Sequence, residues 1–278
     1  MVKVAIVSNG NIDGRKFVNF DTWYRAVDLT TKSLKTNLYS AIRQYQDIEF
    51  KHYIEFNSRD PEKTKPLYDI ILNNLDIQYP SLIKTMDECY EIIHNECGVN
   101  LLDYSRTTTA KMTNNVFQYY FFIRRCLQIL SQDPDTEIFI RARPDIFYFD
   151  QYISREFLYP TALNDDSDVV PASFLRTLNL RLVSCHNPKR NLCVADQFFS
   201  VNRAALNRIR ENISLWVNNL LQEFIQAEKN NNYHGMFPET SLGQLVLMCN
   251  LDCSIFDYYR IKIAREHDSD IYNEILKK

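Results

Sequence analysis

The feature that most constrains the fold is a long amphipathic helix that leads directly into an apolar strand. Residues 111–130 place apolar side chains along one broad face at helical spacing, and residues 133–135 (Asp-Pro-Asp) end that pattern. Residues 137–141 (Glu-Ile-Phe-Ile-Arg) are β-branched and aromatic, which predicts a buried strand. Because a helix that feeds a buried strand is half of a βαβ unit, we expect an α/β fold.

A second strand is expected near the start of the chain, where residues 3–8 are mostly apolar. It is followed by the turn formers of residues 9–15. Ligands of open α/β sheets bind beyond the carboxyl ends of the strands, so this loop, with Arg15 close behind, is a natural place for a diphosphate. The same residues are equally compatible with a simple tight turn.

The remaining chain predicts further helices and strands. We expect helices over residues 21–45, 203–229 and 237–249, and a helical pattern over residues 67–97 that is broken at Tyr79-Pro80. We expect strands over residues 48–56, 168–171, 178–183, 192–201 and 253–264, and a loop over residues 58–65. The length of 278 residues would allow two domains, but single α/β domains of this size are common, so we expect one domain.

Composition excludes several classes of function. The 32 basic and 35 acidic residues give a formal charge of −3, so no strong positive field is available to hold nucleic acid. The five glycines form neither of the glycine-rich nucleotide motifs, G-x-G-x-x-G and G-x-x-x-x-G-K-[ST]. The chain has no apolar run of about 18 residues, and its opening apolar stretch is shorter than that of a signal peptide. Its seven scattered cysteines are typical of reduced thiols, so we expect a cytoplasmic protein without a transmembrane segment.

The most informative polar cluster is residues 141–145, Arg-Ala-Arg-Pro-Asp, at the end of the strand predicted over residues 137–141. Alternation along a strand would put Arg141, Arg143 and Asp145 on one side. Two guanidiniums beside a carboxylate suit a bound anion, because arginine donates two parallel hydrogen bonds to phosphate. The carboxylate can hold a divalent ion or orient an arginine. A local ion pair at the sheet edge is the simpler alternative.

Two further carboxylates are candidates for chemistry. Asp196 and Gln197 interrupt the apolar segment 192–201, and burying a carboxylate is unfavourable unless the group is paired or used where it stands. Glu239 lies at the start of the last predicted helix, where the helix dipole alone would favour a carboxylate.

Five short motifs occur in this order: the opening strand Val4 to Gly10, Met112 at a helix start, Arg141 to Asp145, Asp196 to Phe198, and Pro238-Glu239 before a helix. Their order and spacing resemble those of GT-A-fold glycosyltransferases that build lipopolysaccharides and capsular polysaccharides. The resemblance spans roughly residues 1–260. It implies a GT-A-like, Rossmann-type mixed sheet flanked by helices, with a nucleotide-binding half over about residues 1–150 and an acceptor half over about residues 151–278.

The resemblance implies transfer of a sugar from a nucleoside diphosphate donor, favouring UDP, to a hydroxyl of a glycan acceptor. A narrower similarity to xylosyltransferases of chlorella viruses implies UDP-xylose. The residues implied in donor binding are Ser8, Asn9, Gly10, Arg15, Arg141, Arg143 and Asp145. A non-catalytic module that binds a nucleotide sugar or a glycan is the alternative, because fold does not determine function.

The resemblance also assigns roles on the acceptor side. An inverting reaction needs one carboxylate to accept the proton of the acceptor hydroxyl, and Asp196 is the first candidate and Glu239 the second. Gln197 would then bind the acceptor sugar. The family usually carries Asp-x-Asp where this chain has Arg143-Pro144-Asp145, so a manganese or magnesium ion on Asp145 is an open expectation. Arginines could instead hold the charge of the leaving group without a metal.

Overall fold

The computed structural model describes residues 1–13, 20–81, 83–149, 151–158, 170–175, 198–233, 236, 238–256 and 261–263. Within these ranges the chain is an α/β structure in which helices flank a mixed sheet. The strands are β1 (Val2–Asn11), β2 (Ile48–Ser58), β3 (Ile77–Tyr79), β4 (Lys84–Thr85), β5 (Thr136–Ala142), β6 (Ile146–Tyr148), β7 (Val170–Leu175), β8 (Phe198–Asn202), β9 (Leu251–Phe256) and β10 (Ile261–Ile263).

The helices include two interrupted by a wider π-helical turn. The segment Leu34–Tyr39 joins α1 to α2, and the segment Thr113–Phe117 joins α5 to α6. The α-helices are α1 (Phe20–Ser33), α2 (Ser40–Arg43), α3 (Pro61–Asn74), α4 (Met86–Cys97), α5 (Arg106–Met112), α6 (Gln118–Gln132), α7 (Arg155–Leu158), α8 (Arg203–Lys229) and α9 (Pro238–Met248).

The main sheet has the order β3-β2-β1-β5-β8-β7-β9, with β4 also paired to β2. Strands β3, β2, β1 and β5 are parallel, β8 is antiparallel to its neighbours β5 and β7, and β9 is parallel to β7. The chain runs outward from β1 to β2 and β3 and then returns to the other side of β1 as β5. Ligands of open α/β sheets bind at such a change of direction, outside the carboxyl ends of the strands.

Alternate residues of β1 enter two different apolar cores. Ala5 and Val7 pack in the core formed with α4, α6, α8 and α9. Val4 and Ile6 pack in the core formed with α1, α2 and α3. Burial on both faces explains why β1 is a nearly continuous apolar run in the sequence. None of the helices in the described ranges is long and apolar enough to cross a membrane.

The structure confirms the α/β class and the main elements. The helix predicted over residues 111–130 is present and longer, since it begins at Arg106 and ends at Gln132. Helix α8 begins as predicted after Asn202, whose side chain accepts a hydrogen bond from Ala205 N (2.8 Å). The loop predicted over residues 58–65 is wrong, because Asp60 caps α3 and Pro61 occupies its first turn, where no N–H is needed.

Candidate functional site

A pocket of about 210 Å³ lies at the carboxyl ends of β1, β2 and β5, where the strand order changes direction. Its lining combines side chains from the two faces of the sheet. The apolar lining includes Ile12, Trp23, Val27, Phe56, Leu67 and Ile71. The polar lining includes Asn9, Asn57, Gln118, Arg141, Arg143 and Asp145. A pocket of this kind can bury a flat ring system and hold an anion at the same time.

Arg141 is fully buried, and two of its nitrogens donate hydrogen bonds to neutral side chains. Its Nε donates to Asn9 Oδ1 (3.0 Å), and its Nη2 donates to Gln118 Oε1 (3.0 Å). Its guanidinium also lies 5.5 Å from the ring centre of Tyr119 and 5.9 Å from that of Phe199. These contacts link β5 to β1 and α6 through Arg141, and the expectation that a buried guanidinium here binds an anion stays a prediction.

Arg143 and Asp145 form a bidentate ion pair. Arg143 Nε donates to Asp145 Oδ1 (2.8 Å), and Arg143 Nη2 donates to Asp145 Oδ2 (2.6 Å). Both side chains are mostly buried, with exposed fractions of 18% and 16%. Because β5 ends at Ala142, the pair belongs to the turn before β6, and strand alternation does not align it with Arg141. All three charged residues nevertheless line the same pocket.

Buried hydroxyls hold the backbone of this turn. Three successive carbonyl oxygens each accept a hydrogen bond: Ala142 O from Ser8, Arg143 O from Tyr148 (3.2 Å), and Pro144 O from Thr30. The three hydroxyl side chains are fully buried and come from β1, β6 and α1. The Arg143–Asp145 pair therefore projects from a backbone that is fixed from three directions.

Ser8 belongs to a buried relay with His52 and Tyr39. The distance from Ser8 Oγ to His52 Nε2 is 2.8 Å, and that from Tyr39 Oη to His52 Nδ1 is 2.6 Å. Since Ser8 donates to Ala142 O, His52 must donate from Nε2 and accept from Tyr39 at Nδ1, as a neutral imidazole does. Burial lowers the pKa of His52 to about 3 and raises that of Tyr39. Ser8 thus supports the pocket but does not line it.

Asn57, at the end of β2, offers an amide to the pocket. The residue is only 5% exposed, and its side chain has no hydrogen bond to any residue that the structure describes. Its main-chain carbonyl accepts from Ile12 N (3.1 Å), which fixes the position of the residue. Sequence reasoning missed Asn57, because an asparagine before Ser-Arg-Asp is typical of any turn.

The end of β1 forms one side of the pocket. Asn9, Gly10 and Asn11 lie in the strand, not in the loop that the sequence predicted. Gly10 has a φ of 130°, a region that favours glycine, and the space around its missing side chain is open, so the backbone conformation alone requires glycine. Beyond the strand, the Asp13 carboxylate accepts from Ser58 Oγ (2.6 Å), which ties the ends of β1 and β2 together.

The residues described at the pocket do not fit a divalent cation. Both oxygens of Asp145 accept hydrogen bonds from Arg143. A divalent cation bound to the same carboxylate would be repelled by the adjacent Arg143 guanidinium. The described ranges contain no cluster of three or more His, Cys, Asp or Glu side chains that could hold a metal. Arg143 stands where the Asp-x-Asp pattern has its first aspartate. Among the described residues that line the pocket, Asp145 is the only carboxylate, so none replaces that metal ligand.

The structure does not place every predicted site residue. Arg15, Asp196 and Gln197 lie outside the described residues, and so does the side chain of Glu239, whose backbone belongs to the first turn of α9. Phe198, the last residue of the Asp-Gln-Phe motif, begins β8 and pairs with Ala142 at the end of β5. The described donor candidates Asn9, Gly10, Arg141, Arg143 and Asp145 meet at the pocket.

Comparison with known proteins assigns no family to the chain. No protein-family model matches the sequence, and no curated protein is significantly similar to it.

Proposed function

We propose that the protein is a glycosyltransferase that binds a nucleoside diphosphate sugar, with UDP favoured, in the pocket at the ends of β1, β2 and β5. One observation carries the proposal. Residues from distant parts of the sequence that were expected to bind a donor, Asn9 and Gly10 on one side and Arg141, Arg143 and Asp145 on the other, line one pocket at the change of strand direction.

The lining suits the two chemically different parts of such a donor. Trp23 and Phe56 offer aromatic surface on which a nucleobase and its ribose lose contact with water. The Asn57 amide can both donate and accept, as the N3–H and O4 edge of uracil requires. Arg143 can donate two parallel hydrogen bonds to a phosphate.

In the proposed reaction the acceptor hydroxyl attacks the anomeric carbon of the donor sugar. A new carbon–oxygen bond forms, and the bond from that carbon to the diphosphate oxygen breaks, so negative charge develops on the diphosphate. Arg143 stabilises this charge electrostatically. The proton of the hydroxyl passes to a carboxylate, for which Asp196 remains the first candidate from the sequence and Glu239 the second.

Thermal unfolding with UDP, GDP, CMP and ADP, each with and without manganese, tests the donor site. A ligand at about 100 times its Kd stabilises the folded state by roughly 2.7 kcal/mol, which is easily measured. We expect a shift with one nucleotide that is lost in Arg143→Gln and reduced in Asn57→Ala. Arg124→Gln is the matched control, because Arg124 is a half-buried, ion-paired arginine that does not line the pocket.

Release of the nucleoside diphosphate from nucleotide sugars, measured with and without added sugar acceptors, tests catalysis. We expect turnover that Asp196→Asn abolishes while nucleotide binding persists. Nucleotide binding without turnover on any donor and acceptor would favour the non-catalytic module. Absence of binding by every nucleotide would exclude the donor site.

A further inference from the structure

We propose that Asp145 is an internal competitor of the donor's diphosphate: its carboxylate holds the guanidinium of Arg143 in the free protein, and a bound nucleoside diphosphate displaces it. This inference rests on the proposed function. In this role the Asp145 carboxylate weakens the binding of the diphosphate, whereas a carboxylate that held a metal ion would strengthen it.

The geometry of the pair carries the first step. The two carboxylate oxygens of Asp145 occupy the Nε and Nη2 donors of Arg143, at 2.8 and 2.6 Å. Two parallel hydrogen bonds to this edge are also how arginine binds phosphate. The same edge cannot serve both partners, so a phosphate that binds there must replace the carboxylate.

The surroundings of the pair carry the second step. Both side chains line the pocket and keep exposed fractions of 18% and 16%, so a ligand in the pocket can reach them. The backbone beneath them is fixed by Ser8, Tyr148 and Thr30. Displacement therefore requires rotation of the Asp145 side chain, while the turn that carries Arg143 stays in place.

Charge gives the consequence. Among the described residues that line the pocket, the charged ones are Arg141, Arg143 and Asp145, so two positive charges are opposed by one negative charge. Removing the carboxylate would leave both positive charges to face the diphosphate. With Asp145 present, the nucleoside diphosphate product binds less tightly, which favours its release.

Isothermal titration of UDP and of inorganic pyrophosphate in a buffer containing EDTA tests the inference. Asp145→Asn keeps the size of the side chain and removes its charge, and we expect its Kd for both probes to be at least about tenfold lower than that of the wild type. Asp145→Ala is a second variant with the same expectation. Asp145→Glu keeps the charge and is the control, with a Kd close to that of the wild type.

A double variant shows whether the effect acts through Arg143. In the Arg143→Gln background, Asp145→Asn should lose most of its gain, because no guanidinium remains to be released. Unchanged or weaker binding by folded Asp145→Asn and Asp145→Ala would overturn the inference. So would a separate titration with manganese and without EDTA, if manganese promoted binding by the wild type but not by these variants. If neither the wild type nor any variant binds a probe, the donor site itself is excluded, and the inference with it.

Discussion

The two ends of the parallel strands hold their charged residues in different ways. At the amino end, Lys3 contacts Asp133 (3.0 Å) and Asp135 (3.3 Å), and Lys51 contacts Asp133 (3.1 Å). Each of these charges has an opposite charge beside it and keeps some contact with water. At the carboxyl end, the guanidinium of Arg141 is completely buried against two amide oxygens.

The difference shows at which end of the strands a charged group is buried without an opposite charge among its hydrogen-bond partners at Asn9 and Gln118. Partly exposed ion pairs need little support from the rest of the protein and contribute little to its stability. A buried guanidinium needs hydrogen bonds in fixed positions, and here they come from β1 and α6. The carboxyl end is therefore the end at which the protein organises polar groups around a pocket.

The largest expected effect comes from breaking the buried network of the carboxyl end. Arg141→Ala leaves Asn9 Oδ1 and Gln118 Oε1 without their donor and creates a cavity, so we expect the free energy of unfolding to fall by about 3–5 kcal/mol. Urea unfolding at neutral pH measures it. Arg141→Lys keeps the positive charge but not the planar guanidinium with its several N–H donors. It should therefore be more stable than Arg141→Ala but less stable than the wild type.

Arg143, two residues further along the chain, is the internal comparison. Arg143→Gln removes one partner of a mostly buried ion pair, but the remaining Asp145 carboxylate borders the pocket, so we expect a smaller loss of about 1–2 kcal/mol in the free energy of unfolding. Equal losses for Arg141→Ala and Arg143→Gln would contradict the distinction between a structural and a ligand-binding arginine.

The second prediction concerns His52 and acid. Its pKa is about 3 in the folded protein and about 6.5 in an unfolded chain, so between these values only the unfolded chain binds the proton. The contribution of neutral His52 to the free energy of unfolding is therefore fully present above pH 6.5, and it is lost progressively as the pH is lowered below this value. From pH 7 to pH 5 we expect His52 to account for a loss of about 2 kcal/mol.

Two measurements check the acid effect. Urea unfolding at both pH values should show a smaller loss for His52→Gln than for the wild type. NMR of the labelled imidazole should show a neutral ring, protonated at Nε2, throughout this range. Titration of His52 near pH 6.5 in the folded protein would contradict the buried relay with Ser8 and Tyr39.

Local patterns were sufficient to predict the elements that position the pocket. The apolar runs of β1 and β5, the amphipathic helix predicted over residues 111–130, and the cap at Asn202 each have a signal within a few residues. The loop predicted near Pro61 was wrong, because a proline in the first turn of a helix and a proline in a loop have the same local sequence.

The partners of the predicted site residues were not accessible from the sequence. Arg141 and Asn9 are 132 residues apart in the chain, and Ser8 is 44 residues from His52. Such contacts depend on which strands are neighbours in the sheet. Alternation along a strand predicts only the face of the sheet on which a side chain lies. The same limit applies to Asn57, whose amide is notable only because of the pocket in front of it.

The smallest expected effect is at the amino end of the sheet. The neighbouring lysines hold the pKa of Asp133 below its usual range, and the two acidic side chains raise the pKa of Lys3. We expect Asp133→Asn to destabilise the protein less than Arg143→Gln, because the remaining lysines are solvated. About 0.5 M salt should reduce the difference from the wild type, since these charges are screened. Urea unfolding could instead show that Asp133→Asn lowers the free energy of unfolding as much as Arg141→Ala does, with no effect of salt. In that case the amino end would also bury charged groups at a large cost in free energy. The contrast between the two ends would then no longer point to the pocket.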